Sequence, residues 1–403
     1  MTDTNCWVVW AGMTISNSGQ YRPCCIMLSD QEKTNYNLNE IGDFERFMSS
    51  NTMTSLRKSM SEGKWHERCS RCEIREKNGL VSQRNDYNNM LADQSRPTGF
   101  RLKYLDISFG NKCNLKCRMC YPSVSHLLAK EWPKLQIDDK RPYLKEYETP
   151  SKIDLNALKD IIESYSDDIE IIRFGGGEPL SNDEHDLFLH WLVERGYSKK
   201  ITLNYSSNGT ILDKQHLDCW SHFKRVIFAV SIDAIGKLNT YIRYPASWNV
   251  IERNMRQLDL FVHNNENFSV TISTTVQALN CTRIHELLSW TRTFKYINQI
   301  PYIKVVTNPE TFDLRVLPKS LREDAGHLLI CELKDNYQKS SAVDRIHRIA
   351  KMMINAPQLE NMFPKFLEVN SKFDKIRKTN LLDVLPELAP FLVLQPGQQY
   401  EQL

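Results

Sequence analysis

Short apolar runs and amphipathic stretches alternate along the middle of the chain, from about residue 101 to residue 307. The short runs are rich in β-branched and aromatic residues, whereas the longer stretches repeat apolar positions at helical spacing; this alternation is typical of βα units with a mainly parallel sheet. The six strands that it predicts are 103–109, 169–174, 200–207, 225–232, 268–277 and 302–307. The helices predicted between them lie near 155–165, 184–195, 213–220, 249–263 and 282–293. Because a closed barrel of this type has eight units, six units predict an incomplete barrel.

The region before residue 97 follows a different pattern. Two short β-rich runs, 6–10 and 21–27, flank the turn-forming residues 16–19 and predict a β-hairpin. Apolar positions at helical spacing then predict a helix over 44–60, which Gly63 would end. This part of the chain is therefore expected to form a small module of a hairpin and a helix.

The polar segment 85–99 is expected to be the linker between this module and the barrel, and from residue 317 the pattern becomes helical. Proline ends or interrupts a helix, and the helical pattern contains Pro357, Pro364, Pro386, Pro390 and Pro396. We therefore predict three parts, which are an N-terminal module over 1–96, a barrel over 97–310 and a helical extension over 311–403.

Composition and charge exclude several classes of protein. With 41% hydrophobic and 25% charged residues, the 403-residue chain is expected to be globular rather than disordered or fibrous. The formal net charge of +3 gives no specific signal for a nucleic-acid partner. The apolar run 226–230 is far shorter than the roughly 20 residues of a membrane span, and the patch 7–10 is too short for a signal peptide. We expect a cytoplasmic protein without a membrane partner.

Eight of the eleven cysteines precede residue 121, which suggests metal binding or chemistry in a reducing compartment. Cys113, Cys117 and Cys120 form a C-x3-C-x2-C arrangement directly after the first predicted barrel strand. Three thiolates on one short loop can bind three irons of a 4Fe-4S cluster and leave the fourth iron open to a substrate or cofactor. Two alternatives also fit the spacing. One is a zinc site that takes its fourth ligand from elsewhere, and the other is cysteines without a shared role.

A glycine-rich segment, Gly175-Gly176-Gly177-Glu178, follows the second predicted barrel strand. Ligands of parallel α/β sheets bind at the carboxyl ends of the strands, and glycine lets a ligand approach the backbone there. The segment lacks the Lys-Ser/Thr of a phosphate-binding loop and the spacing of a dinucleotide fingerprint. A tight turn alone would explain it, but it lies one βα unit after the cysteine loop.

Together, the cysteine loop and the Gly-Gly-Glu motif resemble the signature of the radical S-adenosylmethionine (SAM) enzymes. The resemblance implies a partial (βα)6 barrel in which Cys113, Cys117 and Cys120 hold a 4Fe-4S cluster and SAM chelates the open iron. It also implies that an external donor of the flavodoxin or ferredoxin type reduces the cluster. SAM is then cleaved to methionine and a 5′-deoxyadenosyl radical, which abstracts a hydrogen atom from the substrate.

The same resemblance identifies residues expected to contact SAM, and these are Gly176, Gly177, Glu178, Asn208, Ser231, Asp233 and Arg243. Gly-Gly-Glu would meet the methionine amino group, and Arg243 would bind the carboxylate because a guanidinium fork donates two parallel hydrogen bonds. Arg243 would alternatively form only a surface ion pair. Lys116 and Arg118, inside the cysteine loop, would either bind substrate or be solvated. The catalytic side chain is not identified.

Cysteines in the N-terminal region form a second set, with Cys6 and Cys24 in a C-x12-G-x4-C arrangement and Cys69 and Cys72 in C-x2-C. Cys6 and Cys24 are expected on the two arms of the hairpin, close to each other across it. Cys25 would point to the opposite face of its strand, although a bulge would make it the ligand instead. Four cysteines also suit a structural zinc site.

This arrangement resembles the SPASM/twitch auxiliary modules of radical SAM enzymes, in the shorter form that holds one additional cluster. Those modules usually follow the barrel, so the chain resembles a permuted version. The resemblance implies a second 4Fe-4S cluster whose four cysteine ligands leave no iron open. Such a cluster favours an electron-transfer role and an oxidised peptide or small-molecule product. The alternatives are an enzyme that forms a C–C or C–S bond with a purely structural N-terminal metal site, and a non-catalytic zinc-stabilised binding protein.

Overall fold

The computed structural model describes residues 4–27, 36–40, 42–91 and 99–392. In these ranges the strands, most of which run parallel, are β1 Gly12–Ile15, β2 Tyr21–Arg22, β3 Tyr104–Ser108, β4 Ile171–Gly175, β5 Thr202–Ser207, β6 Arg225–Ser231, β7 Phe268–Val276 and β8 Asn298–Val305. The helices before β5 are α1 Val8–Ala11, α2 Asp43–Met48, α3 Asn51–Ser61, α4 Ser70–Lys77, α5 Gln83–Met90, α6 His126–Leu135, α7 Leu155–Ser164 and α8 Asp183–Glu194. The later helices are α9 Lys214–Trp220, α10 Gly236–Ile242, α11 Trp248–Asn264, α12 Ile284–Thr291, α13 Lys319–Asn336, α14 Ser341–Asn355 and α15 Met362–Arg377.

The predicted α/β class and the six predicted barrel strands are confirmed, because β3 to β8 overlap all six. The five predicted helices correspond to α7, α8, α9, α11 and α12. The helices α6 and α10 were not predicted. The segment of α6 includes Pro133, which the sequence pattern treats as a helix breaker, but the Ser125 side chain caps the helix by accepting a hydrogen bond from the Leu128 amide. No helix in the described ranges has both the length and the apolarity of a membrane span.

The chain divides into two compact units. The first unit comprises 1–112, 150–205 and 213–227. Its strand order is β2-β1-β3-β4-β5. β1 is antiparallel to β2 but parallel to β3, with Ile15 opposite Ile107, and β3 is parallel to β4, with Ser108 opposite Gly175. The N-terminal hairpin is therefore not a separate layer: it extends the edge of the sheet that contains the first barrel strands.

The second unit comprises 113–149, 206–212 and 228–403, and it includes the cysteine loop together with the C-terminal helices. Its strands β7 and β8 are parallel, with Thr274 opposite Ile303. Apolar residues of α6, α10 and α12 to α15 pack in one hydrophobic core, so the C-terminal extension shares its core with the region around the cysteine loop. The domain boundaries at 96 and 310 stay predictions.

The first predicted strand of the N-terminal region and the predicted placement of Cys6 and Cys24 on the hairpin were wrong. Residues 6–10 do not form a strand: α1 spans Val8–Ala11, and the first arm of the hairpin begins at Gly12. A run of apolar residues this short fits a strand or a helix equally well, and the burial of Val8 and Val9 accompanies the helical form. Cys6 therefore precedes a helix and Cys24 follows β2, so neither cysteine lies on an arm of the hairpin.

The predicted helix over 44–60 consists of two helices, α2 and α3, because Ser50 caps the second one by accepting from the Met53 amide. The predicted linker begins inside α5, where Ser82 and Asn85 form a capping box. The rest of the linker over 92–98, together with residues 1–3 and Pro396, lies outside the described residues.

Candidate active site and auxiliary metal centre

The cysteine loop over 113–120 follows β3 and is pinned by backbone hydrogen bonds inside the second unit. The amide of Lys116 donates to the Tyr244 carbonyl at 2.7 Å, and the amide of Arg118 donates to the Ile242 carbonyl at 2.9 Å. These two bonds run to the end of α10, the helix that leads to Arg243. The loop that carries the three thiols is therefore held beside the predicted carboxylate-binding arginine.

The two cations inside this loop anchor it to other elements of its unit. Arg118 is fully buried, and its Nη2 lies 2.6 Å from Oδ1 of Asp374 on α15. Lys116 Nζ lies 2.8 Å from Oε1 of Glu131 on α6, which also pairs with Arg377 at 2.6 Å. Both cations form ion pairs, so of the two alternatives for them simple solvation does not apply. The C-terminal helix α15 thus braces the cysteine loop through Asp374 and Arg377.

Burial and nearby cations set the chemistry of the thiols. Burial raises the pKa of the Cys117 thiol to about 12, and the guanidinium of Arg243 is the strongest opposing influence. Burial also raises the pKa of Cys120, and Arg141 and Arg243 act against that rise. Thiolates bind soft metal ions, so an iron cluster would compensate the buried negative charge that the cations offset only in part. The thiols of the cysteine loop therefore fit the 4Fe-4S cluster that the sequence predicts.

Near the loop, the predicted SAM-contacting residues Asp233 and Arg243 form an ion pair, with Arg243 Nε 2.8 Å from Asp233 Oδ2. The Asp233 carboxylate also accepts a hydrogen bond from the Thr275 amide at 2.9 Å. Both amide atoms of Gln277 and Nδ2 of Asn239 are buried without a hydrogen-bond partner among the described residues. Because unpaired buried polar atoms destabilise a protein, these atoms indicate a place for a polar ligand.

Asn208 directly follows β5, and Ser231 is the last residue of β6. The Asn208 side chain donates to Asn114 Oδ1 at 2.7 Å and accepts from the Thr210 amide at 2.9 Å, so it supports the cysteine loop through Asn114. Ser231 is half-buried. The second unit thus contains the three loop cysteines together with Asn208, Ser231, Asp233 and Arg243.

The Gly-Gly-Glu motif lies in the first unit, directly after β4. The amide of Gly177 donates to the Gly110 carbonyl at 3.2 Å, and the amide of Glu178 donates to the Lys112 carbonyl at 2.8 Å. The carboxylate of Glu178 is buried and accepts from the Leu180 amide at 3.2 Å. The motif therefore packs its backbone tightly against residues 110–112, the segment that leads into the cysteine loop.

Replacement of Gly177 by Ala is expected to destabilise the protein. A Cβ at this position would lie 2.1 Å from the Lys112 carbonyl oxygen, so one of the two backbones must move. Overpacking of this kind typically costs about 1–3 kcal/mol. Gly99→Ala is the matched control, because no atom of the described residues lies within 4 Å of a Cβ added there. Thermal unfolding should show a lower melting temperature for Gly177→Ala only, and equal melting temperatures would contradict the steric argument.

Four cysteines of the N-terminal region, Cys6, Cys24, Cys69 and Cys72, line one cavity of the first unit. Its remaining lining is mostly apolar or cationic, and consists of Val8, Val9, Ile26, Met27, Met60, Trp65, Arg68, Arg71, Gln83, Arg84 and Tyr87. Burial raises the pKa of Cys6 to about 12 and that of Cys69 to about 11, and Arg84 acts against both shifts. The cavity therefore unites the four predicted ligands although Cys6 and Cys24 are not on paired strands.

The spacing of these sulfur atoms bears on the choice between zinc and a cluster. A zinc ion with Zn–S bonds of about 2.3 Å brings its four tetrahedral sulfurs to about 3.8 Å from one another. In the part of the chain that the structure describes, the group whose possible ligand atoms all lie within 4.8 Å of one another is His185, Asp186 and His216. The four cysteines do not form such a group among the described residues.

Cys25 is not among the residues that line this cavity. Its Sγ lies 3.1 Å from the Tyr87 hydroxyl, and it also interacts with the buried carboxylate of Asp106 on β3. The side chain of Arg173 on β4 holds the same carboxylate with two contacts of 2.9 Å. The geometry therefore favours Cys24 over Cys25 as the fourth thiol of the N-terminal set.

Comparison with known families agrees with this arrangement of sites. The family model described as the radical SAM superfamily matches residues 107–275, and the model described as an iron-sulfur cluster-binding (SPASM) domain matches residues 6–73. The chain carries a radical SAM domain preceded by a SPASM iron-sulfur domain, so the permuted order is confirmed. The two domains imply a 4Fe-4S cluster with SAM and additional iron-sulfur binding. They support an enzyme rather than a zinc-stabilised binding protein.

The curated relatives are distant, and the chain matches about half of their length or less. The chain is 30% identical over 116 residues to a GTP 3′,8-cyclase of Aliarcobacter butzleri, and 24% identical over 197 residues to one of Synechocystis. These matches cover 29% and 48% of this chain and only 30% and 52% of the relatives.

Solved structures include Streptococcus suis SuiB bound to SAM and SAM-bound anSMEcpe, and their identities to this chain are 14% and 16%. The SuiB match covers 84% of this chain and 67% of SuiB with a TM-score of 0.39. The anSMEcpe match covers 60% of this chain and 61% of that chain with a TM-score of 0.40.

Proposed function

We propose that this chain is a radical SAM enzyme that oxidises a peptide or small-molecule substrate in the cytoplasm and passes the released electron to a second cluster. The observation that carries the proposal is the cavity lined by four cysteines, which the chain has in addition to the three-cysteine loop. The matched radical SAM and SPASM domains support both iron-sulfur sites. Of the three predicted parts, 1–96 would bind the second cluster and 97–310 would form the barrel. The helical extension over 311–403 would support the cysteine loop.

In this proposal, Cys113, Cys117 and Cys120 hold the first cluster. When bound there and reduced, SAM supplies the 5′-deoxyadenosyl radical that abstracts a hydrogen atom. Arg243 binds the SAM carboxylate, and Asp233 orients its guanidinium through the 2.8 Å contact at Nε. The buried amide of Gln277 meets a polar group of the ligand. Gly176, Gly177, Glu178, Asn208 and Ser231 complete the predicted contacts.

In the N-terminal module, Cys6, Cys24, Cys69 and Cys72 hold the second cluster with no iron left open. Held by these four thiolates, the second cluster would supply an acceptor for the one electron that a substrate gives up, together with a proton, after hydrogen abstraction. A donor of the flavodoxin or ferredoxin type supplies the electron that cleaves SAM. Arg84, which lines the cavity, offsets part of the negative charge of the four thiolates.

This function is tested by the iron and acid-labile sulfide content of the anaerobically reconstituted chain, combined with an assay of 5′-deoxyadenosine from SAM and dithionite. Two cubane clusters correspond to about eight iron atoms per chain. Zinc in place of iron, with no 5′-deoxyadenosine formed, would contradict the proposed enzyme.

Replacement of Arg243 by Ala is expected to weaken SAM binding about tenfold or more, because a charge-assisted contact to the carboxylate is lost. The change also leaves the buried Asp233 carboxylate without its cation, which should lower the melting temperature. The double variant Asp233→Asn/Arg243→Ala removes that unpaired charge, so it should recover stability but not affinity. Equilibrium dialysis with labelled SAM measures the affinity. An unchanged affinity in the double variant would contradict the assignment of Arg243.

A further inference from the structure

Two histidines and an aspartate of the first unit meet between the helices α8 and α9. His185 and Asp186 lie in the first turn of α8, and His216 lies in the first turn of α9. Oδ1 of Asp186 lies 2.8 Å from His185 Nδ1 and 3.2 Å from His216 Nε2. Because imidazole nitrogen and carboxylate oxygen both bind zinc, these three residues have the donor set of a divalent metal site.

The spacing of the three residues is close to that of a tetrahedral site. Their possible ligand atoms all lie within 4.8 Å of one another. With metal–ligand bonds of about 2.0–2.1 Å, the ligand atoms of a tetrahedral zinc ion lie about 3.3 Å apart. The two distances to Asp186 Oδ1, 2.8 and 3.2 Å, differ from that separation by about 0.5 Å or less. Small rotations of the side chains would therefore admit the ion.

The second nitrogen of each ring has a polar partner. His185 Nε2 lies 2.8 Å from the Tyr205 hydroxyl on β5, and His216 Nδ1 lies 2.8 Å from Asp213 Oδ1. Metal-bound histidines usually donate their second ring N–H to a partner of this kind, which fixes the orientation of the ring. These contacts direct the other nitrogen of each ring at the Asp186 carboxylate.

Packing also fixes both rings before an ion binds. The His185 ring packs edge-on against Phe174 with centroids 4.9 Å apart, and the His216 ring packs against Trp220 with centroids 5.8 Å apart. The side chain of His185 is fully buried and that of His216 is 8% exposed, whereas that of Asp186 is 41% exposed. Ligands that are already ordered lose little entropy on binding, and Asp186 gives an ion access from solvent.

We propose that His185, Asp186 and His216 form a binding site for a divalent metal ion with the ligand preferences of zinc. No cysteine is among its ligands. Three protein ligands leave a fourth tetrahedral position for water, and Tyr205 and Asp213 orient the two rings. The ion joins the first turn of α8 to α9 and thereby stabilises the first unit.

The test uses the chain after its iron-sulfur clusters have been reconstituted, so that the cysteines are occupied. Equilibrium dialysis against zinc sulfate, followed by metal analysis, should give about one zinc ion per chain in addition to the iron. X-ray absorption at the zinc edge should show nitrogen and oxygen ligands at about 2.0–2.1 Å and no sulfur at about 2.3 Å. Zinc should also raise the melting temperature, because a ligand that binds only the folded state stabilises it.

Variants of the ligands and of one ring partner give graded effects. His216→Gln and Asp186→Asn should each weaken zinc binding at least about 100-fold, because a ligand atom or its charge is lost. Asp213→Asn should weaken binding about tenfold, since asparagine still caps α9 but no longer attracts His216 Nδ1 with a full charge. His222→Gln is the matched control, because this exposed histidine follows the end of α9 and should not affect zinc binding.

The melting temperature of each variant is also measured without zinc, which identifies a variant that does not fold. Should His216→Gln fail to fold, the partly exposed Asp186 makes Asp186→Asn the deciding variant. Sulfur ligands at the zinc, no zinc retained by the parent, or equal affinities of the parent and a folded ligand variant would overturn the inference. Zinc bound through nitrogen and oxygen by a chain that cleaves no SAM would support this site and refute only the proposed function.

Discussion

Simultaneous replacement of Cys113, Cys117 and Cys120 by Ala is expected to abolish 5′-deoxyadenosine formation and to remove about four of about eight iron atoms per chain. The physical reason is that the loop supplies three thiolates and no other cysteine of the second unit lies on it. The variant should still fold, since Arg118 and Lys116 keep their ion pairs with Asp374 and Glu131.

The measurement is iron and sulfide per chain after anaerobic reconstitution, together with the SAM cleavage assay. Cys331→Ala is the control, because this cysteine is exposed on α13 and belongs to neither set. It should retain full iron content and full cleavage. Continued SAM cleavage by the triple variant would contradict the assignment of the catalytic cluster.

The double variant Cys69→Ala/Cys72→Ala is expected to change the iron content of the chain strongly. Loss of two of the four thiols that line the N-terminal cavity should remove the second cluster and leave about four iron atoms per chain. SAM cleavage driven by dithionite should persist, because the first cluster does not depend on these residues. A reductive titration should accordingly show one electron-accepting centre instead of two.

Cys25→Ala is the matched control for this variant. Its sulfur contacts the Tyr87 hydroxyl, and Cys25 is not among the residues that line the cavity, so iron content and electron uptake should equal those of the parent. A loss of iron in Cys25→Ala would show that Cys25 rather than Cys24 is the ligand. Full oxidation of a substrate by the Cys69→Ala/Cys72→Ala variant would contradict the electron-acceptor role and favour a structural N-terminal site.

Much of this architecture was predictable because its signals are local in sequence. The alternation of strand and helix patterns predicted β3 to β8, since the period of apolar residues depends only on which face of each element is buried. The spacing of Cys113, Cys117 and Cys120 on one loop predicted their common role for a similar reason. The matched iron-sulfur domain over 6–73 agrees with the N-terminal set.

Other features depended on contacts between distant residues. The roles of Lys116 and Arg118 could not be inferred locally, because their partners Glu131 and Asp374 lie on helices elsewhere in the chain. The cluster of His185, Asp186 and His216 was missed for the same reason. In it, Asp186 Oδ1 lies 2.8 Å from His185 Nδ1 and 3.2 Å from His216 Nε2.

The order of the barrel strands and the grouping of the cysteines into two sets followed from the sequence alone, because strand periodicity and ligand spacing are properties of short segments. Only the tertiary structure decided that α1 is a helix, that Cys24 rather than Cys25 lines the cavity, and that His216 lies beside Asp186. Each of these features depends on which segments, far apart in sequence, pack against each other in the folded protein. Burial and strand pairing select one arrangement among several that the local pattern allows equally well.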